Sequence, residues 1–229
     1  MTNIQLAVFD IAGTTINEGN VVYKTLQKAI KQRGFEAPLD YVLEQGAGKE
    51  KYQAIKDILQ NQVKGRGEEK EMIAGKIFKE FRQMLEEAYQ KLNIKPFDGV
   101  HELIKHLRKA GVKIALNTGY DKQTANLLLN KMKWRQGKEY DVLITADDVS
   151  SGRPGPDMIL EAMKATHVDN PEFVLKAGDS IIDIQEGKNA KCGITVGVTT
   201  GAHTYSQLES AQPTYIVNTL KDLIQILEV

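Results

Sequence analysis

Ile4-Gln5-Leu6-Ala7-Val8-Phe9-Asp10-Ile11-Ala12-Gly13-Thr14-Thr15 is an apolar run that breaks off at a carboxylate followed by small and hydroxyl residues. That is the signature of a short buried strand ending in a turn, with Asp10 at its carboxyl end. Outward along the chain the pattern recurs. Val112 to Leu116 runs into Asn117-Thr118-Gly119-Tyr120, Val142 to Thr145 into Ala146-Asp147-Asp148, and Phe173 to Ala177 into Gly178-Asp179-Ser180. Ile194 to Val198 and Tyr215 to Val217 read as further strands. Between them lie helical patterns such as Val100 to Ala110, stopped by Gly111. Alternating strands and helices imply an α/β fold. Its doubly wound parallel sheet is covered on both faces, with chemistry at the strands' carboxyl ends.

Residues 18–93 break the alternation. Val21 to Arg33, Leu39 to Leu43, Glu50 to Gln60 and Glu69 to Leu92 carry helical spacing, punctuated by Gly34, Gly46 to Gly48 and Gly65 to Gly67. The expected organisation is a core of residues 1–17 and 94–229 with an α-helical cap domain, 18–93, inserted after the first strand.

The 229 residues carry 30 basic and 30 acidic side chains, so no global charge points to nucleic acid or an anionic membrane. Cys192 is the only cysteine, which excludes an intrachain disulfide and suits a reducing compartment. No run approaches the roughly 18 apolar residues of a membrane span, and Met1 to Asp10 lacks a basic leader. The expectation is a cytoplasmic enzyme acting on a small molecule.

Each chemical candidate also has a plain structural reading. Asp10 can attack phosphorus or simply open a turn. Thr118 and the Gly119 N–H can bind phosphate oxygens or cap a helix. Arg153, in the stiff Gly152-Arg153-Pro154-Gly155-Pro156 loop, can neutralise a transferring phosphoryl group or face solvent. Asp179 and Asp183, four residues apart beside Ser180, suit Mg²⁺ or an ordinary first helical turn. What separates the two readings is their order at successive strand ends: Asp10 with Thr14, Thr118, Arg153, then Asp179 with Asp183.

That order resembles the haloacid dehalogenase superfamily of phosphoryl-transfer enzymes, over essentially the whole chain. The resemblance implies a Rossmann-like core, an aspartyl-phosphate intermediate on Asp10, and Thr118 and Arg153 holding the phosphoryl group. It also implies a Mg²⁺ held by Asp10, the Ala12 carbonyl, Asp179 and Asp183, the last through water. Ala12 stands where most of the superfamily places a second Asp as general acid and base, and Arg153 replaces the usual lysine. Both features, with Thr118-Gly119-Tyr120 and Gly152-Arg153-Pro154, are similar to the phosphonoacetaldehyde hydrolases.

That family uses a cap lysine three residues after a glycine to form a Schiff base. Gly46-Ala47-Gly48-Lys49 has the same spacing, so the resemblance assigns substrate binding and catalysis to Lys49. Gln45 and Tyr52 depart from the family's Met and His. The expected substrate is a small phosphonate or phosphorylated metabolite, and the family suggests a homodimer. The rival readings are a phosphoglycolate-type phosphatase, which lacks its acid at Ala12, and a catalytically dead binding protein, against which Asp10, Asp179 and Asp183 argue. Two further readings concern residues outside the site: the four histidines show no metal-ligand spacing, and Trp134 with Lys131, Lys133 and Arg135 reads as a solvated helix end.

Overall fold

The computed structural model describes residues 4–60, 62–63 and 67–228, so Gly65 lies outside them. Strand β1 (Leu6–Asp10) runs into a short strand β2 (Ile16–Asn17). Four helices follow: α1 (Val21–Gln32), α2 (Leu39–Gly46), α3 (Lys51–Leu59) and α4 (Gly67–Lys91). Next come β3 (Lys95–Pro96), α5 (Val100–Lys109), β4 (Lys113–Asn117), α6 (Lys122–Lys131) and β5 (Val142–Ile144). The remainder is α7 (Asp157–Thr166), β6 (Val174–Gly178), α8 (Ile181–Asn189), β7 (Ile194–Val198), α9 (Tyr205–Ser210), β8 (Tyr215–Val217) and α10 (Leu223–Ile226).

Six strands form a parallel sheet in the order β5-β4-β1-β6-β7-β8. The two-residue side-chain period of β1 explains its unbroken apolar sequence. Leu6 and Val8 join one apolar cluster with Met158, Ile159 and Ala162 of α7, while Ala7 and Phe9 join another with Leu103 of α5 and Leu128 of α6. The chain leaves β1 toward β4 and β5, then crosses back to build β6, β7 and β8 on the other side. The strand order therefore reverses around β1, where open α/β sheets bind their ligands. Asp10 is registered beside Asn117, and Phe9 beside Ala177. This gathers the carboxyl ends of β1, β4 and β6.

The helical insert has its own apolar seam. Ala74, Ile77, Phe81, Leu85 and Tyr89 recur every third or fourth residue along α4 and are buried together with Val22, Leu26 and Ile30 of α1. At its root, β2 and β3 pair antiparallel, Ile16 opposite Pro96 and Asn17 opposite Lys95. Two residues per strand are too few to leave a pattern in the sequence. Trp134 corrects its sequence reading: it is buried, and its Nε1 donates to His101 Nε2 at 3.0 Å. Nearby Lys131 does serve a helix end, donating to the Tyr89 and Gln90 carbonyls at the end of α4, both at 2.7 Å.

Candidate active site

Asp10, buried at the end of β1, meets Arg153 at once: Arg153 Nη1 donates to Asp10 Oδ1 at 2.7 Å. The guanidinium is anchored on its other edges. Nη2 donates to the Asn117 carbonyl at 2.8 Å and to Asn117 Oδ1 at 2.7 Å, and Nε lies 3.1 Å from Glu186 Oε2. Lys176, fully buried on β6, reaches Asn117 Oδ1 at 2.8 Å, Asp183 Oδ1 at 2.9 Å and Glu186 Oε2 at 3.2 Å. These four charges close a cage behind Asp10. Asp183 is held at about 2: burial alone would raise it, but Lys176, Arg153 and the Ser180 hydroxyl outweigh that.

Asp179 follows β6 and is fixed by the Ala202 N–H at 2.6 Å and the Thr14 hydroxyl at 3.3 Å. Burial, then the charges of Asp10 and Asp183, push its carboxyl well above the usual range. Asp10 is raised too, by burial first, with Asp183 adding to it against the pull of Arg153. Ser180 caps α8, its hydroxyl donating to Asp183 Oδ2 at 2.5 Å.

These groups fit a hard dication. Asp10, Ala12 and Asp179 line one chamber, and the carboxylates of Asp10, Asp179, Asp183 and Glu186 outnumber the buried cations around them, Arg153, Lys176 and Lys51. Asp183 Oδ1 is buried without an aligned hydrogen bond. Among the described residues no three His, Cys, Asp or Glu side chains suffice to hold a metal by themselves. Asp183 Oδ1 lies 2.9 Å from Lys176 Nζ and 3.1 Å from Arg153 Nη1, and its Oδ2 accepts from the Ser180 hydroxyl.

The chamber has a volume of about 20 Å³, room for roughly one water. Thr118 and Gly119 form one wall. The Thr118 hydroxyl accepts from the Tyr120 N–H at 3.2 Å and keeps its own proton to donate. The insert closes the opposite side. Gly48 has φ +73°, and a Cβ there would sit 2.5 Å from Ser180 Oγ. At Gly119 a Cβ would come within 3.1 Å of the Lys49 carbonyl. Only glycines allow this loop to lie so close to the core.

Lys49 departs from its expected place. Its backbone covers Gly119, but its amine turns away to Asp57 Oδ2 at 2.7 Å. Lys51 lines the chamber instead. Glu50 caps α3, accepting from the Tyr52 and Gln53 N–H groups, so Lys51 is the first helical residue. Helical side chains lean toward the N-terminus, and Lys51 leans back over the loop. Its Nζ donates to the Gly46 carbonyl at 3.1 Å and the Lys49 carbonyl at 2.6 Å. The amine lies between two rings, 5.4 Å from the centroid of Tyr23 and 5.7 Å from that of Tyr120. Burial lowers it to about 8, Arg153 adding to the effect while Asp10, Glu50 and Asp179 oppose it. One signal was available: a lysine in a helix's first turn opposes the helix dipole and needs a reason. Lys176 was equally detectable, as a lone charge within the buried Val174–Gly178 strand. Asn117 and Glu186 carried no such mark.

Residues 7–198 match the haloacid dehalogenase-like hydrolases. The chain belongs to that family. Within it, this hydrolase is homologous to phosphonoacetaldehyde hydrolase. It is 31% identical to the phosphonoacetaldehyde hydrolase of Latilactobacillus sakei over 86% of this chain and 76% of that one. It is 27% identical to that of Bacillus cytotoxicus, over 98% of this chain and 96% of the relative. Among solved structures, a phosphonoacetaldehyde hydrolase-like protein of Oleispira antarctica superposes with a TM-score of 0.85 at 23% identity, covering 99% of this chain and 92% of that one. This last likeness shows the fold: the hydrolase has the parallel-sheet α/β architecture read from its strand ends. No helix among the described residues is long and apolar enough to cross a membrane.

Proposed function

We propose that this hydrolase is a magnesium-dependent, phosphonatase-like enzyme whose leaving group is handled by Lys51. One observation carries the reading: Asp10, Arg153, Thr118 and Lys51 line a single chamber in which Ala12 presents only a methyl group. An Asp10 oxygen attacks phosphorus while Arg153 and Thr118 hold the phosphoryl oxygens. Asp10, the Ala12 carbonyl, Asp179 and Asp183 would hold Mg²⁺, which would supply charge neutralisation at the phosphoryl group. Residues 18–93 act as the cap that carries Lys51 to the core and excludes water.

For an aldehydic phosphonate, the neutral Lys51 amine condenses with the carbonyl, releases water and takes up a proton from solvent to become an iminium. When Asp10 attacks, the carbon–phosphorus bond breaks and its electron pair passes into the iminium, giving an enamine. Water then hydrolyses the aspartyl phosphate, and protonation and hydrolysis of the nitrogen adduct free Lys51. Such a leaving group needs no acid at Ala12, whereas a phosphomonoester alkoxide does.

Borohydride added with phosphonoacetaldehyde and Mg²⁺ tests this. The expected result is a covalent adduct at Lys51, with Lys51→Arg inactive and Lys49→Ala active. Asp10→Asn should abolish phosphate release while the fold survives. Full turnover in Asp10→Asn, or an adduct at Lys49 alone, overturns the assignment.

A further inference from the structure

Tyr89 Oη stands between two partners from different parts of the molecule. It donates to Glu18 Oε2 at 3.1 Å and lies 3.0 Å from Tyr120 Oη, and all three residues are buried. Glu18 lies just beyond β2, where the chain enters the insert; Tyr89 lies near the end of α4, where it leaves. Tyr120 belongs to the Thr118-Gly119-Tyr120 wall of the chamber. Glu18 Oε2 also accepts from the Val22 N–H at 3.1 Å. Because the single Tyr89 hydroxyl proton is committed to Glu18, the bonds run one way: Tyr120 donates to Tyr89, and Tyr89 to Glu18.

The chain of bonds is not needed to attach the insert. The β2–β3 ribbon already ties its root, and Lys131 holds the end of α4. Buried polar groups of this kind are costly unless every one is satisfied, and apolar residues of similar shape would hold the same volume. What the hydroxyls do fix is the Tyr120 ring. It meets Tyr89 edge-on, with centroids 6.4 Å apart, and the Lys51 amine lies over it.

We infer that Glu18 and Tyr89 are positioning residues: through Tyr120 they seat the Lys51 amine in the chamber with Asp10. The inference rests on the reading of Lys51 above. An ångström of misplacement at a reacting group costs roughly a hundredfold in rate, so a single hydroxyl at a distance can matter.

The test is the rate at which borohydride traps phosphonoacetaldehyde on Lys51, followed by peptide mass spectrometry in the full-length protein with Mg²⁺. Tyr89→Phe and Tyr120→Phe should each slow trapping by about tenfold, and the double variant should be no slower than either single one, because one chain of bonds is being cut. Glu18→Gln keeps an acceptor oxygen and should trap within about threefold of wild type, whereas Glu18→Leu should not. If Tyr89→Phe does not fold, the Glu18 pair carries the same comparison. A purely structural role would lower the melting temperature and leave trapping by the folded protein at the wild-type rate, which overturns the inference alone. No Lys51 adduct in wild type overturns the Lys51 reading and this inference with it.

Discussion

Glu186 Oε2 lies 3.1 Å from Arg153 Nε, on the side of the guanidinium away from Asp10. Glu186 does not line the chamber, yet with Asn117 it braces the guanidinium of Arg153 that faces Asp10. Its other oxygen accepts from Asn117 Nδ2 at 2.9 Å, and both residues contact Lys176. Glu186→Ala should therefore cost roughly 3–5 kcal/mol of stability, the usual result of leaving buried cations unpaired. Glu186→Gln keeps the shape and should be milder in stability but still slow kcat by about tenfold. Urea unfolding and steady-state kinetics together check this. An unchanged kcat in both variants would show that Arg153 needs no brace.

Mg²⁺ should stabilise the protein as well as activate it, because it relieves repulsion among Asp10, Asp179 and Asp183. At a concentration about a hundred times its dissociation constant, the gain is about 2.7 kcal/mol. Thermal unfolding with and without Mg²⁺ should show that gain as a rise in melting temperature. Asp179→Asn should remove most of the rise and most of the activity. A rise of the same size in Asp179→Asn would place the ion elsewhere.

Lys51 sets a pH dependence whose sign follows from its environment. The imine step needs the neutral amine, so kcat/KM for an aldehydic phosphonate should climb with pH and level off near 8, where burial has brought Lys51. An ordinary lysine would keep climbing to about 10.4. The same shift acts on stability. The unfolded chain holds the Lys51 proton up to about 10.4 and the folded one only to about 8, so this residue's contribution to stability rises between those pH values. At pH 7 the charged amine is a burden, and Lys51→Met should be inactive yet melt no lower than wild type. A climb continuing past pH 10 would show that Lys51 does not govern the limb.

Gly48→Ala should impair closure. The added methyl would press on Ser180 Oγ and Ile182, and φ +73° is strained for alanine. Activity should fall by roughly a hundredfold because the loop carrying Lys51 is displaced, with stability lowered by about 1–2 kcal/mol. Gly34→Ala, also at positive φ but with open space around it, is the control: it should lose similar stability and keep its activity. Equal activity losses in the two variants would mean that the Gly48 contact has no special part.

The strand ends were legible because each apolar run stops abruptly at turn-forming residues. Asp10, Thr118 and Asp179 all sit at such stops. Arg153 was legible only through its neighbours, as a cation in a proline-stiffened loop. The lysine that lines the chamber left one mark, its place in a helix's first turn, but spacing from Gly46 points to Lys49. Side-chain direction instead depends on where α3 begins and on the left-handed turn at Gly48. Glu186 escaped for a different reason, whereas Lys176 stands out as a lone charge in a buried strand. A charged residue is normally taken as exposed, and only the packing shows that these two neutralise one another inside the core.

The β2–β3 ribbon has a consequence for how such enzymes diversify. Because Asn17 and Lys95 are paired neighbours, everything between them leaves and re-enters the core at almost one point. A segment joined that way enters and leaves without interrupting the six-stranded ladder, while its apolar residues share one buried cluster with Phe9 and Leu116. Asp10, Arg153 and Asp179 stay with the sheet, while Lys51 travels with the exchanged piece. A graft across this ribbon would keep Asp10, Arg153 and Asp179, and would have to replace Lys51, the Gly48 contact with Ser180, the Tyr89 partner of Tyr120 and the carbonyls that Lys131 holds at the end of α4.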